Sequence, residues 1–298
     1  MPKKISLALS SGGSRGLAHI GVIEEIVSRG HSIKSIAGSS MGAFVGGLYS
    51  AGTMEKYKRW VLDLDKLDIF NLIDLTFSSN GFIKGDKLFH EMLRLGFIPE
   101  VDIEDLPIPI AIIASEIMHS KEMVFTRGRL FDALRASVSI PNVITPIEEP
   151  NIILVDGGVL NPLPINRIPK AAKDLIIAVD VNAMIRYEKP VLPQKKKKEI
   201  EKERGAIDQL KEKWSSFFNE NQKTKVFKKN ELGYFEIFNR SLQVMQNRIT
   251  QLTIEKTPPD LLIEISRDAS GTFDFYKAEE LIAAGRQACK KVLDKAGI

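Results

Sequence analysis

The chain has 298 residues, of which 44% are hydrophobic and 27% charged, with a formal net charge of +4. This length and composition predict a soluble globular fold with a sizeable core. The single cysteine, Cys289, excludes a disulfide framework and a cysteine-cluster metal site. The start of the chain lacks the apolar stretch of a secretory signal, and no run is long enough to span a bilayer, so we expect a cytoplasmic protein.

A glycine-rich loop follows the first predicted strand, at residues 5–9, and precedes a helix predicted over residues 17–29. The loop is Ser11-Gly12-Gly13-Ser14-Arg15-Gly16. It lacks the glycine spacing of a dinucleotide fingerprint and the Gly-Lys-Ser/Thr of a P-loop. Its backbone amides at a helix N-terminus suit an oxyanion hole as well as a phosphate. The alternative is a plain tight turn between strand and helix.

The next junction, Gly38-Ser39-Ser40-Met41-Gly42, joins a predicted strand to an apolar helix. It puts Ser40 on a sharp turn, where the flanking glycines remove Cβ atoms that would clash. The turn lifts the hydroxyl clear of the sheet, beside helix N-terminal amides that favour negative charge. Ser40 is therefore a candidate nucleophile, although a bare Gly-x-Ser-x-Gly also arises by chance.

Short apolar strands then alternate with helices. Helices are predicted at residues 54–62, 86–95 and 130–136, and strands at residues 108–114, 122–125, 152–155 and 175–179. A last strand at residues 261–265 and a helix at residues 277–296 close the chain. This alternation predicts an α/β fold with a mostly parallel sheet and helices on both of its faces.

A basic segment interrupts this alternation. Residues 185–205 hold eight Lys/Arg against four Glu, a local net charge of +4 that equals the excess of the whole chain. Such runs are usually solvated linkers, and the alternative is attraction to an anionic membrane surface. Without aromatic interleaving, the run predicts no nucleic-acid binding.

A heptad stripe of apolar residues follows on a long helix within residues 235–254. This stripe either packs on the domain or forms a homodimer. We therefore interpret residues 1–298 as one domain. It carries a charged helical insertion at residues 185–258, and a closing strand and helix at residues 259–298.

A nucleophilic serine needs a base within hydrogen-bond reach. No histidine follows Asp156, which argues against the Ser, acid, His order of α/β-hydrolases, and His19 is predicted to lie in the core or to support the site. Asp156 and Asp180 each end a predicted buried strand, and ligand sites gather at such ends in parallel sheets. We favour Asp156, because Gly157 and Gly158 allow a sharp turn and close backbone approach.

In their order and separation, these three motifs resemble those of the patatin-like phospholipase family. The matching segments are residues 11–16, 38–42 and 156–158, and residues 136–141 resemble an intervening block of the family. The resemblance implies a three-layer α/β/α fold with Ser40 as nucleophile and Asp156 as base. It also implies an oxyanion hole formed by Gly12, Gly13 and the amide of Ser14 or Arg15, and it requires no metal or cofactor.

The resemblance implies a serine lipid acyl hydrolase: a phospholipase, lysophospholipase or carboxylesterase that works through an acyl-enzyme on a lipid or ester substrate. Two alternatives stay open. The same dyad could pass the acyl group to an alcohol or lipid acceptor, or the domain could be a non-catalytic module that binds lipid or protein. The chain departs from the family at Ser11, where a glycine is common, so a positive φ there would strain the loop.

Overall fold

The computed structural model describes residues 1–65, 85–169, 174–192 and 234–298. It divides the chain into two compact units, one of Met1–Pro190 with Met245–Ile298 and one of Val191–Val244. The middle of the predicted insertion, including the lysines at residues 195–198, lies outside the described residues. In the described ranges, no helix combines the length and the apolar character needed to cross a membrane.

A sheet of eight strands forms the centre of the first unit. Five strands run parallel to one another and lie in the order β3, β2, β1, β7, β8. Their bounds are β1 (Lys4–Leu9), β2 (Ser32–Ser39), β3 (Ile110–Glu116), β7 (Leu175–Ala183) and β8 (Leu261–Ser266). The shorter strands β4 (Lys121–Phe125), β5 (Ile147–Glu149) and β6 (Ile152–Asp156) pair antiparallel beyond β3.

Seven helices accompany the sheet in the described ranges. They are α1 (Ala18–Ser28), α2 (Met41–Ser50), α3 (Met54–Asp63), α4 (Gly85–Arg94), α5 (Leu130–Ser137), α6 (Tyr234–Lys256) and α7 (Ala278–Lys295). These bounds lie within two residues of those predicted for α3, α4, α5 and α7. In α6, the heptad residues Phe238, Met245 and Leu252 are exposed. A homodimer through this helix stays a prediction.

The two faces of the sheet have different packing. The larger core holds buried side chains of α1, α2 and α7 against β1 and β2. On the other face, the strands β1, β2, β3 and β7 each contribute an alanine, and these lie side by side in register: Ala8, Ala37, Ala111 and Ala178. The small side chains allow Leu163 and Ile165 to pack closely against the strands. The predicted three-layer α/β/α fold with a mostly parallel sheet is confirmed.

The sequence predicts that residues 152–155 form a buried strand of the mostly parallel sheet, but β6 has the opposite direction. It runs antiparallel to β3 and forms a hairpin with β5, which the sequence analysis did not predict. The first two residues of β6, Ile152 and Ile153, are half-buried, as suits a strand near the edge of a sheet. Asp156 pairs with Ala114, next to Ile113, which in turn pairs with Ser39 of β2. The C-terminal end of β6, at Asp156, therefore lies close to the C-terminal end of β2, which Ser40 follows directly.

Candidate active site

Ser40 lies at the turn between β2 and α2 with a left-handed backbone, φ 53° and ψ −124°. A non-glycine residue rarely adopts this conformation, so its surroundings must hold it there. One support is the buried hydrogen bond that the Ser40 amide donates to the hydroxyl of Ser137, at 2.9 Å. A second is the close approach of the chain at Gly42, where an added Cβ would lie 2.3 Å from the carbonyl oxygen of Leu9.

Asp156 lies directly against the candidate nucleophile, Ser40. The Ser40 hydroxyl donates a hydrogen bond to Oδ2 of Asp156, and both residues are buried. The other carboxylate oxygen, Oδ1, accepts the amide of Gly158 at 2.7 Å. The Asp156 amide itself donates to the carbonyl oxygen of Ser139 at 2.9 Å. Both oxygens of the carboxylate are thus oriented, with one of them aimed at the serine hydroxyl.

Burial strongly affects the pKa of the Asp156 carboxylate. It raises the pKa of Asp156 to about 6, against the opposing effect of the hydrogen bonds from Ser40 and Gly158. A carboxylate with this pKa is mostly ionised at neutral pH, yet more basic than an exposed aspartate. Such a value suits a group that takes a proton and returns it during one reaction cycle.

The glycine loop lies beside this pair. Gly13 lines the same cavity as Ser40, and the amides of Gly12 and Gly13 have no hydrogen-bond acceptor in the described part of the chain. The amide of Ser14 donates to the carbonyl oxygen of Thr272 at 2.9 Å, so it does not point into the site. The guanidinium of Arg15 is buried and donates to Asn182. The amides of Gly12, Gly13 and Arg15 therefore stay the predicted donors for an oxyanion.

The remaining motif residues bring the three segments into contact. At Gly16, Gly38, Gly42 and Gly157, an added Cβ would come within 2.2–2.5 Å of a neighbouring atom. At Gly158 it would lie 2.8 Å from the hydroxyl of Ser11. Outside glycine, positive φ occurs in the described chain at Ser40, Ser120, Asn142 and Asn151. Ser11 is not in this set, so the strain considered for it does not arise.

None of the four histidines contacts Ser40 or Asp156. His19 is buried, its Nε2 donates to the carbonyl of Ser10 at 2.9 Å, and burial lowers its pKa to about 4. The others lie elsewhere: His31 beside the amide of Lys3, His90 against the ring of Phe131, and His119 beside Glu116. Asp180, the other candidate base, accepts the amide of Asn182 at 2.9 Å and does not reach Ser40.

An apolar cavity of about 150 Å³ opens beside Ser40. Its walls come from α2, α3 and α4, from residues 138–144 and from residues 272–275. Aromatic rings, among them Phe44, Trp60, Phe89 and Phe275, alternate with aliphatic side chains and methionines in the lining. A cavity of this character next to the candidate nucleophile suits an apolar group attached to a carbonyl bound there.

Sequence reasoning missed two contributions to this site. The sequence connects the block at residues 136–141 to the site only through the family resemblance, yet Ser137 accepts the amide of Ser40 and Ser139 accepts the amide of Asp156. Thr272 and Phe273 lie more than 100 residues after Asp156 and belong to no motif. Gly271, directly before them, predicts a turn. Nothing in the sequence, however, indicates that this turn contacts the glycine loop.

Comparison with known proteins identifies the class to which this fold and site belong. The family model for patatin-like phospholipases matches residues 7–167, and the chain belongs to the patatin-like phospholipase family. An NTE family protein of Mycobacterium bovis is 32% identical, with 98% of this chain and 91% of the relative covered. The lysophospholipase NTE1 of Candida albicans is 31% identical over 60% of this chain and 13% of its own length. VipD from Legionella pneumophila, a solved structure, matches with a TM-score of 0.47 and 10% identity, covering 99% of this chain and 67% of VipD.

Proposed function

We propose that the protein hydrolyses a carboxylic ester of a lipid, with Ser40 as nucleophile and Asp156 as its general base. The observation that carries this proposal is the direct hydrogen bond from the Ser40 hydroxyl to Asp156. Membership of the patatin-like phospholipase family supports lipid acyl hydrolase activity. The lysophospholipase among its relatives makes a phospholipid or lysophospholipid the first substrate class to test.

The first half of the reaction forms an acyl-enzyme. Asp156 accepts the proton of the Ser40 hydroxyl as Oγ attacks the carbonyl carbon of the ester. The amides of Gly12 and Gly13 stabilise the negative charge that develops on the carbonyl oxygen, and losing one such donor typically costs about 100-fold to 1000-fold in rate. The carbon–oxygen bond to the alcohol then breaks, and Asp156 returns the proton to the leaving alkoxide.

The second half regenerates the enzyme. Asp156 accepts a proton from water as the water oxygen attacks the acyl carbon. The bond between that carbon and Ser40 Oγ breaks, and the proton passes back to the serine. A carboxylate in direct contact with the nucleophile can perform all of these transfers, so no histidine is needed.

The decisive experiment compares Ser40→Ala and Asp156→Asn with the wild type in ester and lysophospholipid hydrolysis. We expect each substitution to lower kcat by at least about 1000-fold, because both groups act in the same step. Asp180→Asn is a matched control, since Asp180 is also a buried strand aspartate, although β7 continues past it to Ala183 rather than ending there as predicted. Near-wild-type turnover in either dyad variant would rule out the mechanism.

Two further measurements separate the alternatives. A fluorophosphonate should label wild-type protein and not Ser40→Ala, since a module that only binds lipid has no need of an activated hydroxyl. Product analysis with a competing alcohol then distinguishes hydrolysis from acyl transfer. Free fatty acid as the main product at moderate alcohol concentrations supports hydrolysis, whereas a dominant new ester supports a transferase.

A further inference from the structure

A short turn near the end of the chain, residues 270–275, forms part of the candidate site although it lies outside the matched family region. The turn is braced from within. The carboxylate of Asp274 accepts the amide of Gly271 at 3.0 Å and pairs with the ammonium of Lys277 at 3.0 Å. The amide of Lys277 donates to the Asp274 carbonyl at 2.9 Å. The turn therefore presents its side chains from a fixed backbone.

Hydrogen bonds also fix this turn against the glycine loop. The Ser14 amide donates to the Thr272 carbonyl at 2.9 Å, and the Ser14 hydroxyl donates to the Gly271 carbonyl at 2.7 Å. Arg15 donates from Nη1 to the carbonyl oxygen of Ser270 at 2.9 Å. A residue of the turn is consequently held at a constant position relative to the two glycine amides proposed to bind the oxyanion.

Phe273 differs from the other residues that line the cavity. In the described chain, it is the one lining residue classed as exposed, with 38% of its surface accessible. Phe275, two residues on, is half-buried and lines the same cavity, and Ser40 is almost fully buried. A lining residue that also faces solvent lies where the cavity meets the surface. The ring of Phe273 therefore borders the mouth of the cavity.

The volume of the cavity limits what it can hold. A dry cavity of about 150 Å³ lined by Leu, Ile and Phe binds a molecule the size of benzene. The cavity beside Ser40 has about this volume and a similar lining. It accommodates an acyl segment of roughly six carbons, and a longer chain has to continue past the mouth.

We propose that Phe273 determines the acyl-chain length of the substrate, by closing the mouth of the cavity so that short acyl chains fit inside and long ones must displace its ring. This inference depends on the proposed ester hydrolysis at Ser40. It assigns the segment at residues 270–275 a part in the site, and among the lipid esters of the proposed function it favours those with short acyl chains.

The test measures kcat/KM for p-nitrophenyl esters of four, six, eight and twelve carbons. The wild type should favour the six-carbon ester, and Phe273→Ala should raise the ratio of twelve-carbon to six-carbon hydrolysis by about tenfold. Phe273→Trp should lower that ratio. Phe238→Ala is the matched control: its side chain is 39% exposed, it does not line the cavity, and it should leave the ratio unchanged.

A binding measurement separates this inference from the proposed function. Calorimetric titration of hexanoate and dodecanoate into Ser40→Ala, with and without Phe273→Ala, reports chain selection without turnover. If removing the ring increases the affinity for dodecanoate relative to that for hexanoate, the result supports the inference. An unchanged binding ratio and an unchanged hydrolysis ratio, in variants that melt at the wild-type temperature, would overturn it. Hydrolysis retained in Ser40→Ala would instead overturn the proposed function.

Discussion

The hydroxyl of Ser137 accepts the backbone amide of Ser40 at 2.9 Å, so the last residue of α5 holds the turn on which the candidate nucleophile lies. Two residues further on, the carbonyl oxygen of Ser139 accepts the amide of Asp156, also at 2.9 Å. One short segment therefore contacts both members of the proposed dyad. The sheet and this segment together fix the separation of Ser40 and Asp156.

Replacing Ser137 with Ala should lower both stability and turnover. The substitution leaves the Ser40 amide buried without an acceptor, which typically costs about 1–3 kcal/mol. A small displacement of a reacting group can cost up to about 100-fold in rate, so we expect kcat to fall by about 10-fold to 100-fold. Urea unfolding and steady-state ester hydrolysis measure the two effects.

Ser50→Ala provides the comparison for this prediction. Ser50 is as deeply buried as Ser137, yet its hydroxyl has no hydrogen-bond partner in the described structure. Removing it should therefore cost less stability and leave kcat within about twofold of the wild type. Equal losses in the two variants would contradict a specific role for the Ser137 hydroxyl.

The activity should depend on the ionisation of Asp156. Only the deprotonated carboxylate can accept the serine proton, and burial raises the pKa of Asp156 to about 6. We therefore expect kcat/KM to be level above neutral pH and to fall as the pH drops through 6, reaching about one-tenth of the plateau at pH 5. Initial rates with an uncharged ester across pH 4.5–8.5 give the profile.

Asp180 allows this inflection to be assigned. Burial raises the pKa of Asp180, like that of Asp156, to about 6, but Asp180 does not contact Ser40. The Asp180→Asn variant should keep the acidic limb of the profile at the wild-type position. Loss of the limb in this variant would show that the profile does not report the proposed base.

Gly42→Ala should be destabilising, because the new methyl group would lie 2.3 Å from the Leu9 carbonyl oxygen in β1. Overpacking against backbone typically costs about 1–3 kcal/mol or more, and here it would also displace the turn that carries Ser40. The melting temperature and the rate of ester hydrolysis should both fall. Gly47→Ala, on the same helix, meets the flexible ends of Leu134, at 3.1 Å, and Leu130, at 3.5 Å, so it should be tolerated.

Local patterns in the sequence were sufficient to predict the three-layer fold and the position of Ser40. The run from Gly38 to Gly42 predicts a tight strand-to-helix turn because few other residues fit one, and the structure has this turn. Alternating apolar segments likewise predict the parallel strands of the centre. These features depend on neighbours in the chain, which a single sequence displays.

Features that depend on distant pairing could not be predicted in the same way. The antiparallel direction of β6 follows from its hairpin with β5, a strand of three residues with two glutamates and no apolar alternation. One of the two reasons given for Asp156, the end of a parallel strand, was therefore wrong, although the structure does place it against Ser40. The contact of Ser14 with Thr272 joins segments about 260 residues apart and leaves no pattern in either of them.

The antiparallel arrangement of β6 also has a consequence for how the protein loses activity under stress. The carboxylate is carried by a hairpin at one margin of the sheet, whereas the hydroxyl is carried by β2, between β1 and β3. Marginal strands fray at lower cost than interior ones. Mild denaturant should separate the two groups while the interior is still folded, so inactivation should precede the loss of secondary structure.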